Sequence, residues 1–283
     1  MLKLAIQKSG RLNESSLELL QECGIKIANP RNSLKAAAKN FPLEILNLRN
    51  SDIPAYVSSG VADIGIVGGN TLIEHENPLN SIKKLGFGKC KLALALPKNI
   101  NYTNLQYFEG KKIATSYPNS LKKFLDEKNI NCQIHEISGS VEIAPSIGLA
   151  DGICDLVESG NTLFMNGLKE VETLFHSEAV LISNQNLTAE KQAMIDKLLF
   201  RIEATLGAKN NKYVVLNVPN ENIDKISQLL PGMKSPTVIP LQKAGWSALH
   251  SVISENDFWN SIEQLKELGA EGILVMSIEK MIS

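Results

Sequence analysis

From residue 2 to about residue 175, short apolar runs alternate with amphipathic stretches, and that rhythm confines the chain to α/β architectures. Residues 2–7 read as a strand. Residues 13–23 read as a helix that carries Leu17, Leu19 and Leu20 largely on one side and stops at Gly24. Further strands are predicted at 43–48, 64–67, 91–96, 112–115 and 153–157. Helices are predicted at 53–59, where Pro54 suits the first turn, and near 119–128. With 283 residues, 43% of them hydrophobic, the chain is long enough for two or three domains.

Ala62-Asp63-Ile64 leading to Gly69-Asn70-Thr71-Leu72 resembles Cys154-Asp155-Leu156 leading to Gly160-Asn161-Thr162-Leu163, with one gap. Such an internal similarity suggests two α/β lobes facing a cleft, with both loops beyond the carboxyl ends of strands, where doubly wound sheets bind ligands. A long polar helix is expected over about 188–209. Beyond it the rhythm changes to strand 213–218, helix 221–230, strands 237–241 and 247–254, helix 257–268 and strand 272–278. That βαββαβ order is ferredoxin-like, with Pro231-Gly232 and Gly269 as helix stops.

Charge and cysteine usage exclude several classes. The formal net charge is -1, from 29 basic and 30 acidic side chains, so no overall field favours nucleic acid or an anionic membrane. The N-terminus reads as a strand rather than a signal peptide, and no stretch approaches the ~20 apolar residues of a membrane span. Cys23, Cys90, Cys132 and Cys154 lack C-x-x-C spacing, which fits reduced thiols in the cytoplasm. His75, His135, His176 and His250 are equally dispersed and suggest no structural zinc.

The sharpest motif is Asp155-Leu156-Val157-Glu158-Ser159-Gly160-Asn161-Thr162, between a strand and an apolar helical start. Amides of a small-residue turn at a helix N-terminus, with the Ser159 and Thr162 hydroxyls, can cradle a phosphate, while Asp155 and Glu158 suit sugar hydroxyls or a bridging magnesium. The same string also fits a plain βα turn in which Ser and Asn cap the helix. Gln7-Lys8-Ser9-Gly10-Arg11, after the first strand, offers two cations to a polyanion, and Arg49 ends another strand; solvated surface cations are the alternative for all three. Thr115-Ser116-Tyr117-Pro118 and Ser138-Gly139-Ser140-Val141-Glu142 complete a set of four polar turns.

Taken together and in register, Gln7-Lys8-Ser9-Gly10-Arg11-Leu12, Ala114-Thr115-Ser116-Tyr117-Pro118, Gly139-Ser140-Val141-Glu142 and Asp155 through Leu163 closely resemble the ATP phosphoribosyltransferase family. Ser235-Pro236-Thr237-Val238-Ile239-Pro240-Leu241 and the stretch from Gly269-Ala270 to Ile278 resemble its long form, so the resemblance covers essentially the whole chain. It implies a two-lobed, periplasmic-binding-protein-like catalytic region, with lobe I at 1–90 plus about 173–210 and lobe II at 91–172, and a ferredoxin-like regulatory domain at 211–283. The implied reaction transfers phosphoribosyl from phosphoribosyl pyrophosphate to N1 of ATP, with Mg2+, as the first step of histidine biosynthesis under histidine feedback.

The resemblance also assigns residues. Lys8, Arg11 and Arg49 match the pyrophosphate end and are the catalytic expectation. Asp155, Glu158, Ser159, Gly160, Asn161, Thr162 and Leu163, with Tyr117 near the nucleotide and Asp151, form the substrate-binding expectation. Thr237, Asn217, Met233 and Gly272 match the histidine site, although Asn217 stands where some relatives have an aspartate. Glu158 stands where Ser, Thr or Gly is common. Ser33 falls where the family often has an arginine, and Arg31 lies two residues earlier. Homo-oligomers, from dimer to hexamer, are implied as well. Because adenine N1 carries a free lone pair, no base need deprotonate it, which agrees with the lack of a Ser/His/Asp or Cys/His arrangement. A solute-binding protein and a ligand-sensing regulator are competing classes; the first should carry a signal peptide and the second a DNA-binding helix pair, and neither is found, while another phosphoribosyltransferase acting on a different base is the closest chemical alternative.

Overall fold

Strand β1 (Leu2–Gln7) begins the chain, followed by α1 (Arg11–Glu22), β2 (Lys35–Ala37), β3 (Leu43–Leu48), α2 (Ile53–Ser58), β4 (Ile64–Gly68), α3 (Gly69–His75) and β5 (Asn80–Lys84). A second series follows: β6 (Cys90–Pro97), β7 (Lys112–Thr115), α4 (Pro118–Glu127), β8 (Gln133–Glu136), β9 (Gly152–Val157), α5 (Asn161–Met165) and β10 (Leu168–Ser177). The chain continues through β11 (Ala179–Ser183) and the long helix α6 (Ala189–Lys209). It ends with β12 (Asn211–Pro219), α7 (Ile223–Leu229), β13 (Thr237–Pro240), β14 (Trp246–Ser254), α8 (Glu255–Glu267) and β15 (Glu271–Ser277). This computed structural model describes residues 1–28, 33–75, 79–230 and 232–282. Arg31 and Pro231 lie outside the described residues.

The strands form three sheets. One has the order β2-β3-β1-β4-β11-β5, with β3, β1 and β4 parallel. Another has the order β10-β6-β9-β7-β8, with β9, β7 and β8 parallel. The chain crosses from the second sheet back to the first between Ser177 and Ala179. These are the two lobes of a periplasmic-binding-protein-like α/β region.

The composition of β6 explains what each face of the second sheet holds. In Cys90–Pro97 leucines and alanines alternate, and successive side chains point to opposite faces. Leu92, Leu94 and Leu96 join Phe108, Ile113, Leu121 and Leu125, so α4 covers that side. Ala93 and Ala95 join Val141, Ala144 and Leu163, so the small residues leave room for α5 and the short turn at Val141–Ile143.

Residues Met1–Glu18 with Ile25–Met194 form one compact unit, and Leu19–Gly24 with Ile195–Ser283 form another. Helix α6 is therefore shared in sequence between them. Within the second unit, β13-β14-β12-β15 is the ferredoxin-like strand order of a βαββαβ chain. Val214, Leu216, Val218, Leu249, Ile226 and Leu265 pack a core between that sheet and α7 with α8. Among the described residues no helix is long and apolar enough to cross a membrane.

Candidate active site

Three polar turns of the second sheet emerge side by side because β9, β7 and β8 are parallel neighbours. The turn after β9 is Glu158-Ser159-Gly160, closed by Gly160 at φ 76 in the left-handed region that glycine tolerates. Helix α5 starts at Asn161. The first amide to find a backbone acceptor at this start is that of Phe164, donating to Gly160 O at 3.0 Å. The preceding N–H groups of the turn lack an intrahelical partner, as at every helix start. Leu163 is buried in the core and anchors the helix, so only its backbone faces the turn, while Ser159, Asn161 and Thr162 are exposed. A cavity of 390 Å³ opens here, bounded by Arg11, Glu142, Asp155 and residues 158–163.

Asp155 sits on the floor of this cavity. Burial raises its carboxyl to about 6, the Glu142 charge adds to the rise, and the Leu156 amide, donating at 2.8 Å, opposes it. Tyr117, at the end of β7, is pushed up to about 12 by burial and by the neighbouring Asp155 carboxylate. Its amide donates to Thr115 Oγ1 at 2.9 Å, and Thr115 Oγ1 donates to the Cys154 carbonyl at 2.7 Å. These bonds tie Tyr117 to β9 one residue from Asp155.

The cations come from the first sheet. Gln7 pairs with Leu48 in the β1–β3 register, and the Lys8 amide donates to Leu48 O at 2.8 Å. Lys8 and Arg49 therefore leave adjacent parallel strands, about 4.8 Å apart, at the same carboxyl edge. Among the described residues neither has a carboxylate at ion-pair distance. Arg11, the first residue of α1, pairs instead with Glu158 across the lobes, with both side chains largely exposed. Glu158, whose carboxylate suits sugar hydroxyls or magnesium by its chemistry, meets this arginine while staying largely exposed.

The remaining expectations divide. Asp151 is corrected: its carboxylate accepts from the Lys112 amide at 2.8 Å, and its own amide donates to Lys112 O at 2.8 Å. It thus splices the amino ends of β7 and β9, a six-residue strand away from the turn, and has no place at the cavity. The two similar loops occupy equivalent places, starting α3 and α5, but their surroundings differ. Asn161 and Thr162 are exposed, whereas Asn70 and Thr71 are buried, and the Asn70 amide donates to Ser177 Oγ at 2.8 Å. At the start of α4, buried Glu74 of α3 accepts from the Asn119 and Ser120 amides at 2.8 and 2.9 Å. Protein groups thus occupy the α3 and α4 starts and leave the α5 start open. Sequence reading missed Glu74, whose partners lie 45 and 46 residues on and leave no local signal.

In the second unit, Thr237, His250 and Val215 form one row across β13, β14 and β12. Asn217, two residues beyond Val215, shares their face, opposite the core face of Val214 and Leu216. A Cβ on Gly272, at φ 57, would stand 3.1 Å from Asn217 Nδ2, so these two are neighbours. Met233 is exposed in the connection before β13.

Residues 49–204 match the family model described as ATP phosphoribosyltransferase, and residues 208–280 match the model described as HisG, C-terminal domain. A protein of Cytophaga hutchinsonii named ATP phosphoribosyltransferase is 55% identical over 282 residues, spanning 100% of this chain and 99% of its own. One of that name from Phocaeicola vulgatus is 54% identical over 282 residues and 100% of both chains. Among solved structures, a chain of the ATP phosphoribosyl transferase (HisG:HisZ) complex from Thermotoga maritima is similar at TM-score 0.61 and 32% identity, covering 72% of this chain and 99% of that one.

Proposed function

The chain belongs to the ATP phosphoribosyltransferase family, and on that premise we propose that the cavity bounded by Asp155 and the 158–163 turn is its active site. The enzyme transfers phosphoribosyl from phosphoribosyl pyrophosphate to N1 of ATP and releases pyrophosphate, the first step of histidine biosynthesis. The observation that carries the site is the meeting of the glycine turn at a helix start, the half-buried Asp155 carboxylate and Arg11 around one space.

In this reading the 5-phosphate of phosphoribosyl pyrophosphate takes the amides and hydroxyls of Ser159, Gly160, Asn161 and Thr162. Asp155 faces the ribose hydroxyls. Lys8 and Arg49, side by side and without counter-ions among the described residues, together with Arg11 draw the pyrophosphate and stabilise its growing charge as the C1–O bond breaks. Adenine N1 of ATP supplies a free lone pair, so the protein orients the nucleophile without deprotonating it. Tyr117 lies on the nucleotide side. Asp155 and Glu142, which both line the cavity, would hold a Mg2+ ion, whose charge would favour the carboxylate that burial and, less strongly, the Glu142 charge disfavour. That ion would supply charge neutralisation of the pyrophosphate.

Histidine is the proposed inhibitor, at the face carrying Thr237 and Asn217 beside Gly272, with Met233 flanking it. Homo-oligomers, from dimer to hexamer, are proposed as well. Exposed Ile239, Leu274 and Met276 on the sheet of the second unit support association. Four free thiols support a reducing, cytoplasmic setting. The test of the active site is Thr162→Ala: removing one hydroxyl donor to a charged oxygen should raise KM for phosphoribosyl pyrophosphate roughly tenfold without unfolding the protein. Unchanged kinetics in a folded variant would remove the turn from the site.

A further inference from the structure

Helix α3 exchanges caps with the opposite lobe. Its own start is capped by Ser177 of β10, whose Oγ accepts from the Asn70 amide at 2.8 Å. In return Glu74, four residues along α3, caps α4 through the Asn119 and Ser120 amides, and the Glu74 carbonyl accepts from Asn119 Nδ2 at 3.0 Å. Residues four apart share a helix face, so one face of α3 presents both Asn70 and Glu74 to the second lobe.

Between these contacts stands Tyr117. Asn70 Nδ2 donates to Tyr117 Oη at 3.3 Å, while Asn70 Oδ1 accepts from Ser177 Oγ at 3.2 Å. Glu74 holds the backbone two and three residues after Tyr117. The tyrosine is therefore gripped at its ring hydroxyl and at the helix it starts, both times from α3. Asn70 and Glu74 are each at most 5% exposed, so a lost partner is not readily replaced by solvent. Gly68 belongs to the same device, since a Cβ there would collide with Asn70 Oδ1.

We propose that α3 is an interlobe clasp, in which Asn70 and Glu74 act as positioning residues that hold Tyr117 beside Asp155 at the nucleotide side of the cleft. The positioning role rests on the active-site reading above; the clasp itself does not. Neither residue need touch a substrate.

Two measurements separate these levels. In the full-length enzyme, Glu74→Gln keeps the side-chain shape but replaces one acceptor oxygen with an NH2 that faces a donor. Amide exchange at Asn119 and Ser120 should then accelerate about tenfold or more, while β7 and β9 stay protected. Unchanged exchange at both amides overturns the clasp. In kinetics, Asn70→Ala should raise KM for ATP roughly three- to tenfold and leave KM for phosphoribosyl pyrophosphate within about twofold. In a Tyr117→Phe background the same change should add almost nothing, because the hydroxyl it acts through is gone. An equal cost in both backgrounds, or a parallel rise of both KM values, overturns the positioning role. If Tyr117→Phe alone leaves KM for ATP unmoved, the nucleotide-side placement fails and the positioning role fails with it, whereas the exchange result still reports on the clasp.

Discussion

Asp155 is held against its charge at the site. Its carboxyl has an ordinary value of 3.8 and is raised to about 6, first by burial, so the fold disfavours its ionised form. For an acid whose value is raised by folding, the favourable contribution is full below the unfolded value near 4 and is lost as pH rises through 6. Asp155→Asn should accordingly stabilise the free enzyme at pH 7.5 by at most about 3 kcal/mol and leave it unchanged near pH 4. Denaturation midpoints at the two pH values measure this; an equal shift at both would mean that titration is not the cause. The same substitution should lower turnover, the usual exchange of site stability against function. Neighbours a few residues apart contribute differently: Leu163 anchors α5 in the core while Thr162 next to it stays exposed.

The turns of β4–α3 and β9–α5 share a Gly-Asn-Thr-Leu string yet serve different ends. One is buried and capped by Ser177, whereas the other opens on the cavity. Gly160 makes the open one possible. An alanine there finds open space for its Cβ but must hold φ near 76, at a cost of about 1–2 kcal/mol. Gly160→Ala should lower the denaturation midpoint modestly and raise KM for phosphoribosyl pyrophosphate more than tenfold, since relieving the strain moves the cradle amides away from the phosphate by enough to lose about 1.4 kcal/mol or more. A KM that stays put while stability falls would detach the turn from phosphate binding. Strand β10 was not anticipated from its sequence. Register shifts between Glu170 and Glu172 and between Thr173 and Phe175 break the two-residue period by which strands are recognised.

The described residues that bound the cavity all belong to the first unit, and the ferredoxin-like sheet of the second carries the proposed effector face. Inhibition from a separate site requires two states of the whole enzyme that histidine binds unequally, typically by about 1–3 kcal/mol. Thr237→Ala should weaken histidine inhibition about fivefold or more while uninhibited turnover stays near the parent value. Titrating histidine against both proteins decides it. Superimposable curves would remove Thr237 from the effector site, and a parent enzyme that histidine does not inhibit would end the regulatory reading.

By itself the sequence determined the central strands and several of the helices of the two lobes and the ferredoxin-like ending, and it singled out the turn at 158–163 as a candidate. Periodicity, glycine stops and short motifs are local, and they act over one or two turns or strands. Tertiary structure alone decided what each element meets. It set Lys8 beside Arg49, paired Arg11 with Glu158 across 147 residues, put Asp151 at the amino ends of β7 and β9, and buried Glu74 against α4. Such pairings depend on strand order and register, and no local pattern encodes which of several polar turns will be covered by a neighbouring lobe and which will stay open to a ligand.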